Sequence, residues 1–282
     1  MNAINQFYKN GAIGVFDSGI GGLSVLSEIR KALPDVNLIY FGDQDHVPYG
    51  PRELSQVLGF SMAITEFLLS LGSKMIVVAC NTASAAALKE LRETYSEMPF
   101  VGMEPAIKPA VEQTLSGAVG VLATPATFQS KLYASVIERF ATGVEIYQDT
   151  CPGLVQEIEK GNFNGKVTTK ILNKALYPML EKNIDSIVLG CTHYPYVISL
   201  IKFLVGPDVR VINPAPAVAR QTKKIFSQIV RSGNPELSPT TTIITSGDEK
   251  KLRKKVRDFF PYENSVMKAN WIENQLVLNV TQ

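Results

Sequence analysis

The stretch VVACNTASA (residues 77–85) is an apolar run that stops at a cysteine, which an asparagine and a threonine follow. It completes MIVVAC (75–80), whose continuous apolar character is typical of a parallel strand buried on both faces. Helical spacing then begins in AAALKELRETY (85–95). The sequence therefore places a thiol at the junction between a buried strand and a helix.

The same alternation of apolar runs and amphipathic segments continues along most of the chain. LSVLSEIRKAL (23–33), for example, carries its leucines and its isoleucine on one side of a helix. We expect parallel strands joined by right-handed helical crossovers, which together make an α/β fold. The other predicted strands are AIGVFD (12–17), NLIYFGD (37–43), AVGVLAT (118–124), SIVLGC (186–191) and VRVIN (209–213).

The composition narrows the classes of function. The 282 residues include 28 basic and 26 acidic side chains, which gives a formal net charge of +2. Because the basic and acidic residues nearly balance, the composition argues against a nucleic-acid-binding protein and against an electrostatic membrane anchor. The expected partner is a small polar or charged molecule, with no requirement for nucleic acid or membrane.

Apolar segments and cysteines indicate the compartment. No apolar stretch approaches the ~20 residues of a membrane span, because Glu66 and Lys74 interrupt the longest one. The opening MNAINQFYKN (1–10) lacks the apolar centre of a signal peptide. The three cysteines show no CxxC spacing, which disfavours a disulfide framework or a zinc ribbon. We predict a reduced, cytoplasmic protein.

The predicted strand ends are candidates for a functional site, because ligands bind at the carboxyl ends of strands in open α/β sheets. Small polar and reactive side chains follow the strands: Asp17-Ser18, Asp43, Cys80-Asn81-Thr82, Thr124 and Cys191-Thr192-His193. We expect these side chains to meet at one edge of the fold.

Two pairs of segments within the chain resemble each other. GVFDS (14–18) resembles GVLAT (120–124). In the same way, VVACNT (77–82) resembles VLGCTH (188–193). This similarity indicates a duplicated α/β unit, in which the two cysteines of the second pair are counterparts related by a pseudo-twofold axis.

Two interpretations of the paired thiols, Cys80 and Cys191, are open. A free cysteine is often only a small buried hydrophobe. A thiol near a helix N-terminus instead has a lowered pKa and can exchange protons. Asp17 could assist the first thiol and His193 the second, although a buried polar group is more commonly satisfied by backbone hydrogen bonds. Cys151 has no counterpart, and we expect it to be structural.

Two facing acid/base groups suit racemisation at a carbon atom. One group removes a proton from one face while the other, in the opposite protonation state, delivers a proton to the other face. A protein that binds an acidic amino acid without chemistry is the simpler alternative.

The glycine-rich segment DSGIGGLSV (17–25) supports a rival interpretation. Its glycines lie at a strand-to-helix turn, where backbone N–H groups can hold an anion. A dinucleotide site requires G-x-G-x-x-G and an acid about 20 residues later, and Asp43 supplies such an acid. However, Ser24 occupies the third glycine position, and the nucleotide-dependent oxidoreductase of this hypothesis leaves both cysteines without a role.

A basic segment, EKKLRKKVRDFF (249–260), clusters six Lys and Arg residues around apolar positions with helical spacing. Ser246 and Glu249 have the spacing of a capping box. We expect a helix that begins at this box and presents a solvated basic face.

Taken together, several segments resemble glutamate racemases, which belong to the cofactor-independent aspartate/glutamate racemase family. They follow one another in the family's order over most of the chain. The matching segments are GVFDSGIGGLSV (14–25), YFGDQDHVPYG (40–50), VVACNTASA (77–85), GVLATPAT (120–127) and VLGCTHYP (188–195).

The resemblance implies a fold and an activity. The fold is α/β, with two pseudo-twofold-related domains that are each a mostly parallel sheet flanked by helices, and with the active site in the interdomain cleft. We expect residues 1–104 plus 213–282 in the first domain and 105–212 in the second. The implied activity interconverts L- and D-glutamate by two cysteines without pyridoxal phosphate or metal, and supplies D-glutamate for peptidoglycan. The implied enzyme is a bacterial cytoplasmic homodimer, and some members respond to a cell-wall precursor.

The resemblance also implies the roles of site residues. Cys80 and Cys191 correspond to the two bases, with Asp17 and His193 as their auxiliaries. The family's acidic residue near CPGLVQEIEKG (151–161) is assigned to Glu159, with Glu157 as the alternative. Because related aspartate enzymes have a glutamate in place of His193, CTHYP favours glutamate as substrate. The implied substrate-binding residues are Asp17, Ser18, Tyr49, Gly50, Asn81, Thr82, Thr124, Thr127, Thr192 and His193.

Overall fold

The computed structural model describes residues 11–229, 238–262 and 264–279. Residues 1–10, in which the sequence analysis found no apolar centre of a signal peptide, lie outside the described residues. Strands and helices alternate in the described part of the chain and build two separate β-sheets. In these ranges, no helix combines the length and apolar character needed to cross a membrane. The helices are α1 (Leu23–Ala32), α2 (Leu54–Ser70), α3 (Asn81–Thr94), α4 (Ile107–Gln113), α5 (Pro125–Phe128), α6 (Lys131–Phe140), α7 (Leu154–Glu159), α8 (Lys166–Leu180), α9 (Ile198–Val205), α10 (Ala215–Ile229) and α11 (Glu249–Phe259).

The larger sheet has seven strands in the order β11-β10-β9-β2-β1-β3-β4. All neighbours are parallel except β10 and β11, which form an antiparallel pair at one edge. We call this sheet and its helices the first lobe. Its strands are β1 (Ala12–Asp17), β2 (Leu38–Gly42), β3 (Ser73–Val78), β4 (Phe100–Gly102), β9 (Thr241–Thr245), β10 (Ser265–Ile272) and β11 (Gln275–Leu278).

The smaller sheet has four parallel strands in the order β6-β5-β7-β8, and with its helices it forms the second lobe. This order repeats the order β2-β1-β3-β4 of the first lobe. The internal similarity found in the sequence therefore relates β1 to β5 and β3 to β7. The predicted α/β class is confirmed. The strands are β5 (Ala118–Ala123), β6 (Glu145–Asp149), β7 (Ser186–Gly190) and β8 (Arg210–Ile212).

All six apolar runs form strands, and the central ones are fully buried as expected. In β1, Ile13 and Val15 pack into one hydrophobic cluster while Ala12 and Phe16 pack into another on the opposite face. Five strands, β4, β6, β9, β10 and β11, were not predicted, because they are short or mix polar with apolar residues. Glu145–Asp149, for example, is an edge strand with exposed and half-buried positions, so burial imposes no apolar pattern on it.

The capping-box prediction for the basic helix is wrong. The N-cap of α11 is Asp248, whose carboxylate accepts hydrogen bonds from the backbone N–H groups of Lys250 and Lys251. Ser246 cannot cap the helix, because its hydroxyl donates to the buried carboxylate of Asp43 over 2.9 Å. The helix itself packs through Leu252 and Val256, as its spacing indicated.

Candidate active site

The two predicted thiols lie on opposite lobes and border one narrow cavity. Cys80 follows β3 of the first lobe, and Cys191 follows β7 of the second lobe. Their exposed fractions are only 4% and 6%. The residues that line this cavity are Ser18, Pro48, Tyr49, Gly50, Cys80, Asn81, Thr82, Thr124, Val155, Cys191, Thr192 and His193.

Most of the predicted substrate-binding residues therefore line the cavity, and the remaining ones lie directly behind it. Asp17 contacts the backbone of the glycine turn, and it accepts a hydrogen bond from Thr192, which lines the cavity. Thr127 shares a hydrogen bond of 2.9 Å with Thr124, which lines the cavity. Pro48 and Val155 were missed, because neither ends a strand nor carries a reactive group.

The N-terminus of helix α3 holds the first thiol. Cys80 is the N-cap residue, and its Sγ accepts a hydrogen bond from the N–H of Ala83 at 3.4 Å. This is the geometry that the sequence predicted. The predicted fall in pKa is wrong, however: burial and the nearby Asp17 carboxylate raise the pKa of Cys80 well above its ordinary value. Loss of water in the closed cavity outweighs the helix N-terminus.

Asp17 is fully buried at the end of β1. Its Oδ2 accepts hydrogen bonds from the N–H groups of Gly22 at 2.8 Å and Gly19 at 3.3 Å. Its Oδ1 accepts from the hydroxyl of Thr192 on the other lobe. Burial raises the pKa of Asp17 despite these bonds and the positive field of His193. A carboxyl group of raised pKa beside Cys80 can receive and return a proton.

The glycine turn binds the protein's own carboxylates. Asp17 takes the N–H groups of Gly19 and Gly22, and Glu159 takes the N–H of Ile20 at 2.9 Å. These donors are the ones that a dinucleotide pyrophosphate would need. The turn is therefore an internal anion site, and the geometry argues against the dinucleotide interpretation.

The second thiol contacts His193, which in turn contacts Glu159. Cys191 Sγ lies 3.9 Å from Nδ1 of His193, and Nε2 of His193 lies 2.8 Å from Oε1 of Glu159. Burial lowers the pKa of His193, but its bonds to Cys191 and Glu159 raise it well above its ordinary value overall. The imidazole can therefore accept the proton of the thiol, while the carboxylate fixes which nitrogen faces the sulfur.

The contacts of the two candidate glutamates differ. Glu157 bonds to Lys160 and Asn162, away from the cavity. Glu159, by contrast, contacts His193 directly. Burial raises the pKa of Glu159, but the bond from His193, the imidazolium charge, the Ile20 N–H and Lys255 together lower it to about 2. Glu159 is therefore an anion at neutral pH.

Comparison with known proteins shows which family the chain resembles. The profile of the Asp/Glu/hydantoin racemase family matches residues 13–222, which include both thiols and the glycine turn. The chain belongs to this family. It is thus an isomerase, an amino-acid racemase.

The relatives of this racemase cover between 78% and 96% of its length. A glutamate racemase of Pseudomonas aeruginosa is 48% identical over 219 residues, 78% of this chain and 83% of the relative. The structure of glutamate racemase isoform RacE1 from Bacillus anthracis has a TM-score of 0.83 at 33% identity, and covers 95% of this chain and 100% of its own. The structure of Escherichia coli glutamate racemase was solved with L-glutamate and the activator UDP-MurNAc-Ala. It has a TM-score of 0.80 at 28% identity, and the match covers 96% of this chain and 100% of its own.

The cavity of this racemase contains an unsatisfied amide. Asn81 is 3% exposed, and neither its Nδ2 nor its Oδ1 has a hydrogen-bond partner in the structure as described. A buried amide without partners is costly, and such groups are commonly satisfied by a ligand. Asn81 therefore offers a donor and an acceptor to a polar substrate.

Two further contacts join the lobes at residues that line the cavity. The hydroxyl groups of Thr82 and Thr124 lie 2.8 Å apart, so one threonine of each lobe meets the other. The N–H of Ala126 donates to the carbonyl of Gly50. A Cβ on Gly50 would lie 2.8 Å from the side chain of Thr124, so only glycine permits this approach. These contacts close the cleft of the racemase.

Asp43 supports the cavity from behind instead of lining it. Its buried carboxylate accepts hydrogen bonds from the hydroxyl of Tyr49 at 2.6 Å, the indole of Trp271 at 2.8 Å and the hydroxyl of Ser246 at 2.9 Å. His46 Nδ1 lies 2.9 Å from the same group. Asp43 therefore fixes the loop that brings Tyr49 to the cavity.

Proposed function

We propose that this racemase interconverts L- and D-glutamate by moving the α-proton between Cys80 and Cys191. One observation carries the proposal: thiols from equivalent strands of the two lobes border the same cavity, and each lies beside its own proton-accepting partner. The names of the relatives support glutamate as the substrate. The motif CTHYP favours it over aspartate.

Each direction of the reaction uses one thiol as base and the other as acid. The thiolate of one cysteine takes the α-proton from one face of the amino acid, which leaves the electron pair on Cα. The thiol of the other cysteine then gives its proton to the opposite face, which inverts the centre and leaves a thiolate. The next turnover in the reverse direction exchanges the two roles.

The partners of the thiols generate the required protonation states. Asp17 can take the proton of Cys80, and His193 can take the proton of Cys191. The α-ammonium group of bound glutamate also stabilises a thiolate, because it adds a positive charge beside the thiols. The reaction needs neither pyridoxal phosphate nor a metal in this proposal.

The proposed substrate must enter through movement of the lobes. The closed cavity offers only ≈ 10 Å³ to water, far below the roughly 300 Å³ of a small ligand site. We propose that residues 1–104 plus 213–282 and residues 105–212 are two domains that part to admit glutamate. All strands of the smaller sheet fall within 105–212, which supports this division. When the two domains close again, the residues around the substrate are Ser18, Gly50, Thr82, Thr124 and Thr192.

The cellular role is also a proposal. D-Glutamate produced in the cytoplasm would supply peptidoglycan synthesis, and the enzyme would act as a homodimer. Because the Escherichia coli relative was solved with UDP-MurNAc-Ala as an activator, we include regulation by a cell-wall precursor. Racemisation rates with and without UDP-MurNAc-Ala test that part.

The activity is tested by incubating the purified chain with L-glutamate in deuterated water without added cofactor. Deuterium at Cα together with loss of optical rotation is the expected result. Binding of glutamate without exchange would instead support the simple binding protein, and binding of a nicotinamide nucleotide would support the oxidoreductase. Either of these results, without exchange, would overturn the proposal.

Substitution Cys151→Ala is expected to leave racemisation largely intact. Cys151 is buried and does not line the cavity, so its loss costs packing, about 1 kcal/mol of the free energy of unfolding, but no proton transfer. Measurement of kcat beside the melting temperature checks this. A loss of kcat as large as that of the other two cysteine variants would refute the assignment of roles.

Substitution Asn81→Ala is expected to weaken substrate binding without destabilising the free protein. The amide gains no hydrogen bond in the closed protein, so its removal relieves a buried unsatisfied group and keeps or raises the melting temperature. The KM for glutamate rises about tenfold, because a bond worth about 1.4 kcal/mol is lost. An unchanged KM would show that Asn81 does not contact the substrate.

A further inference from the structure

One lysine of the basic helix does not belong to its solvated face. On α11, Lys250, Lys254 and Arg257 are exposed, as predicted from the sequence. The side chain of Lys255 is only 25% exposed and turns toward Glu159. The predicted surface helix therefore sends one cation into the region behind the cavity.

This cation completes the set of donors around one carboxylate. Lys255 Nζ lies 3.3 Å from Oε2 of Glu159 and also contacts the main-chain carbonyl of Glu159. Gln44 Nε2 approaches the same Oε2 at 3.5 Å. Oε1 accepts from the N–H of Ile20 and faces His193. Each oxygen of the carboxylate thus has two partners.

The contact crosses from one lobe to the other. α11 packs on β9 and β10 of the first lobe, whereas Glu159 ends α7, which packs on α8 of the second lobe. Lys255 therefore holds the second lobe's carboxylate from the opposite side of the cleft. It meets the last carbonyl of a helix, where a cation is also favoured by the helix dipole.

We propose that Lys255 is a positioning residue for the Cys191 half of the reaction. It holds Glu159 so that the bond from His193 Nε2 aims Nδ1 at Cys191. The proposal rests on the proposed racemase function, because it assigns Lys255 a part in one of the two proton transfers.

The electrostatics of the site give the physical reason. The side chain of Glu159 is 13% exposed, so its charge is costly unless cations and N–H donors surround it. Removal of the ammonium group weakens the hold on the carboxylate, and a displaced carboxylate no longer orients the imidazole. Cys80 and Asp17 belong to the other half and keep their contacts. Loss of the ammonium group should therefore slow the proton transfers of Cys191 and leave those of Cys80 largely unchanged.

The test uses four variants of the 282-residue chain. Lys255→Met removes the charge but keeps the length of the side chain, Lys255→Arg keeps the charge, and Lys254→Met is the matched control on the exposed face of the same helix. For each, kcat and KM are measured with L- and with D-glutamate. The primary isotope effect on kcat/KM is measured with each α-deuterated enantiomer. Melting temperatures verify the fold, and Lys255→Gln serves as a second uncharged variant.

For Lys255→Met we expect kcat about tenfold lower, the size of one weakened charge-assisted bond, with a smaller change in KM. The isotope effect rises in the direction that uses Cys191 as base, because removal of the α-proton becomes more rate-limiting. It falls in the other direction, because delivery of the proton by Cys191 becomes slower. Lys255→Arg recovers most of kcat, and Lys254→Met matches the wild type.

Other outcomes overturn the proposal. If Lys255→Met matches the wild type, or if both isotope effects move in the same sense, Lys255 has no special link to Cys191. If Lys254→Met shows the same loss, the effect belongs to the surface charge of the helix. Failure of the wild-type chain itself to exchange the α-hydrogen of glutamate would refute the proposed function, whereas an active wild type with an unaffected Lys255→Met would refute only the role of Lys255.

Discussion

Cys80→Ala and Cys191→Ala should each lower the rate of glutamate racemisation by roughly 10⁴-fold, the upper range for loss of one acid/base group. Inversion needs both groups, since either thiol alone can only remove and return a proton on its own face. The remaining thiol can still exchange the α-hydrogen with solvent. We therefore expect residual exchange into one enantiomer only, and into opposite enantiomers for the two variants.

This experiment separates mechanism from folding. Both thiols are almost completely buried, so each alanine variant leaves only a small cavity and should keep its melting temperature within a few degrees. Proton NMR in deuterated water follows exchange for each enantiomer separately, and polarimetry follows inversion. Exchange into the same enantiomer for both variants would contradict the placement of the sulfurs on opposite faces.

Gly21→Ala is expected to lower kcat about 100-fold while the protein still folds. A Cβ at this position would lie 2.6 Å from both Nδ1 of His193 and Oγ1 of Thr192, so both side chains must move. Displacement of a catalytic group by about 1 Å can cost 10²-fold in rate. The same crowding should cost about 1–3 kcal/mol of the free energy of unfolding.

The matched control is Gly59→Ala on α2, where a Cβ would meet nothing within 4 Å. That variant should keep kcat and gain up to about 1 kcal/mol in stability, because alanine favours a helix over glycine. Steady-state rates and chemical denaturation measure both quantities. A Gly21→Ala protein with wild-type kcat would show that the position of His193 does not matter for the reaction.

The strands and their reactive ends were predictable because they depend on local patterns. A continuous apolar run such as 186–190 indicates a buried strand, and the polar residues that follow it mark the edge where ligands bind. The similarity between the Cys80 and Cys191 segments also indicated the duplication, since both occupy the same place in sheets of the same strand order.

Contacts between distant segments were not predictable in this way. Glu159 bonds to Ile20, 139 residues earlier, and Lys255 reaches Glu159 across 96 residues. No local pattern records such pairs. The same reason explains the error about Cys80: its place at a helix N-terminus is local, but its burial beside Asp17 depends on how the lobes close.

The central claim is that two sulfur atoms face one amino acid from opposite sides. A crystal structure of the protein with bound glutamate tests it most directly. The account predicts Sγ of Cys80 and Sγ of Cys191 about 3–4 Å from Cα, on opposite faces, with Asn81 bonded to the ligand. A glutamate bound elsewhere, or within reach of only one of the two sulfurs, would contradict the account.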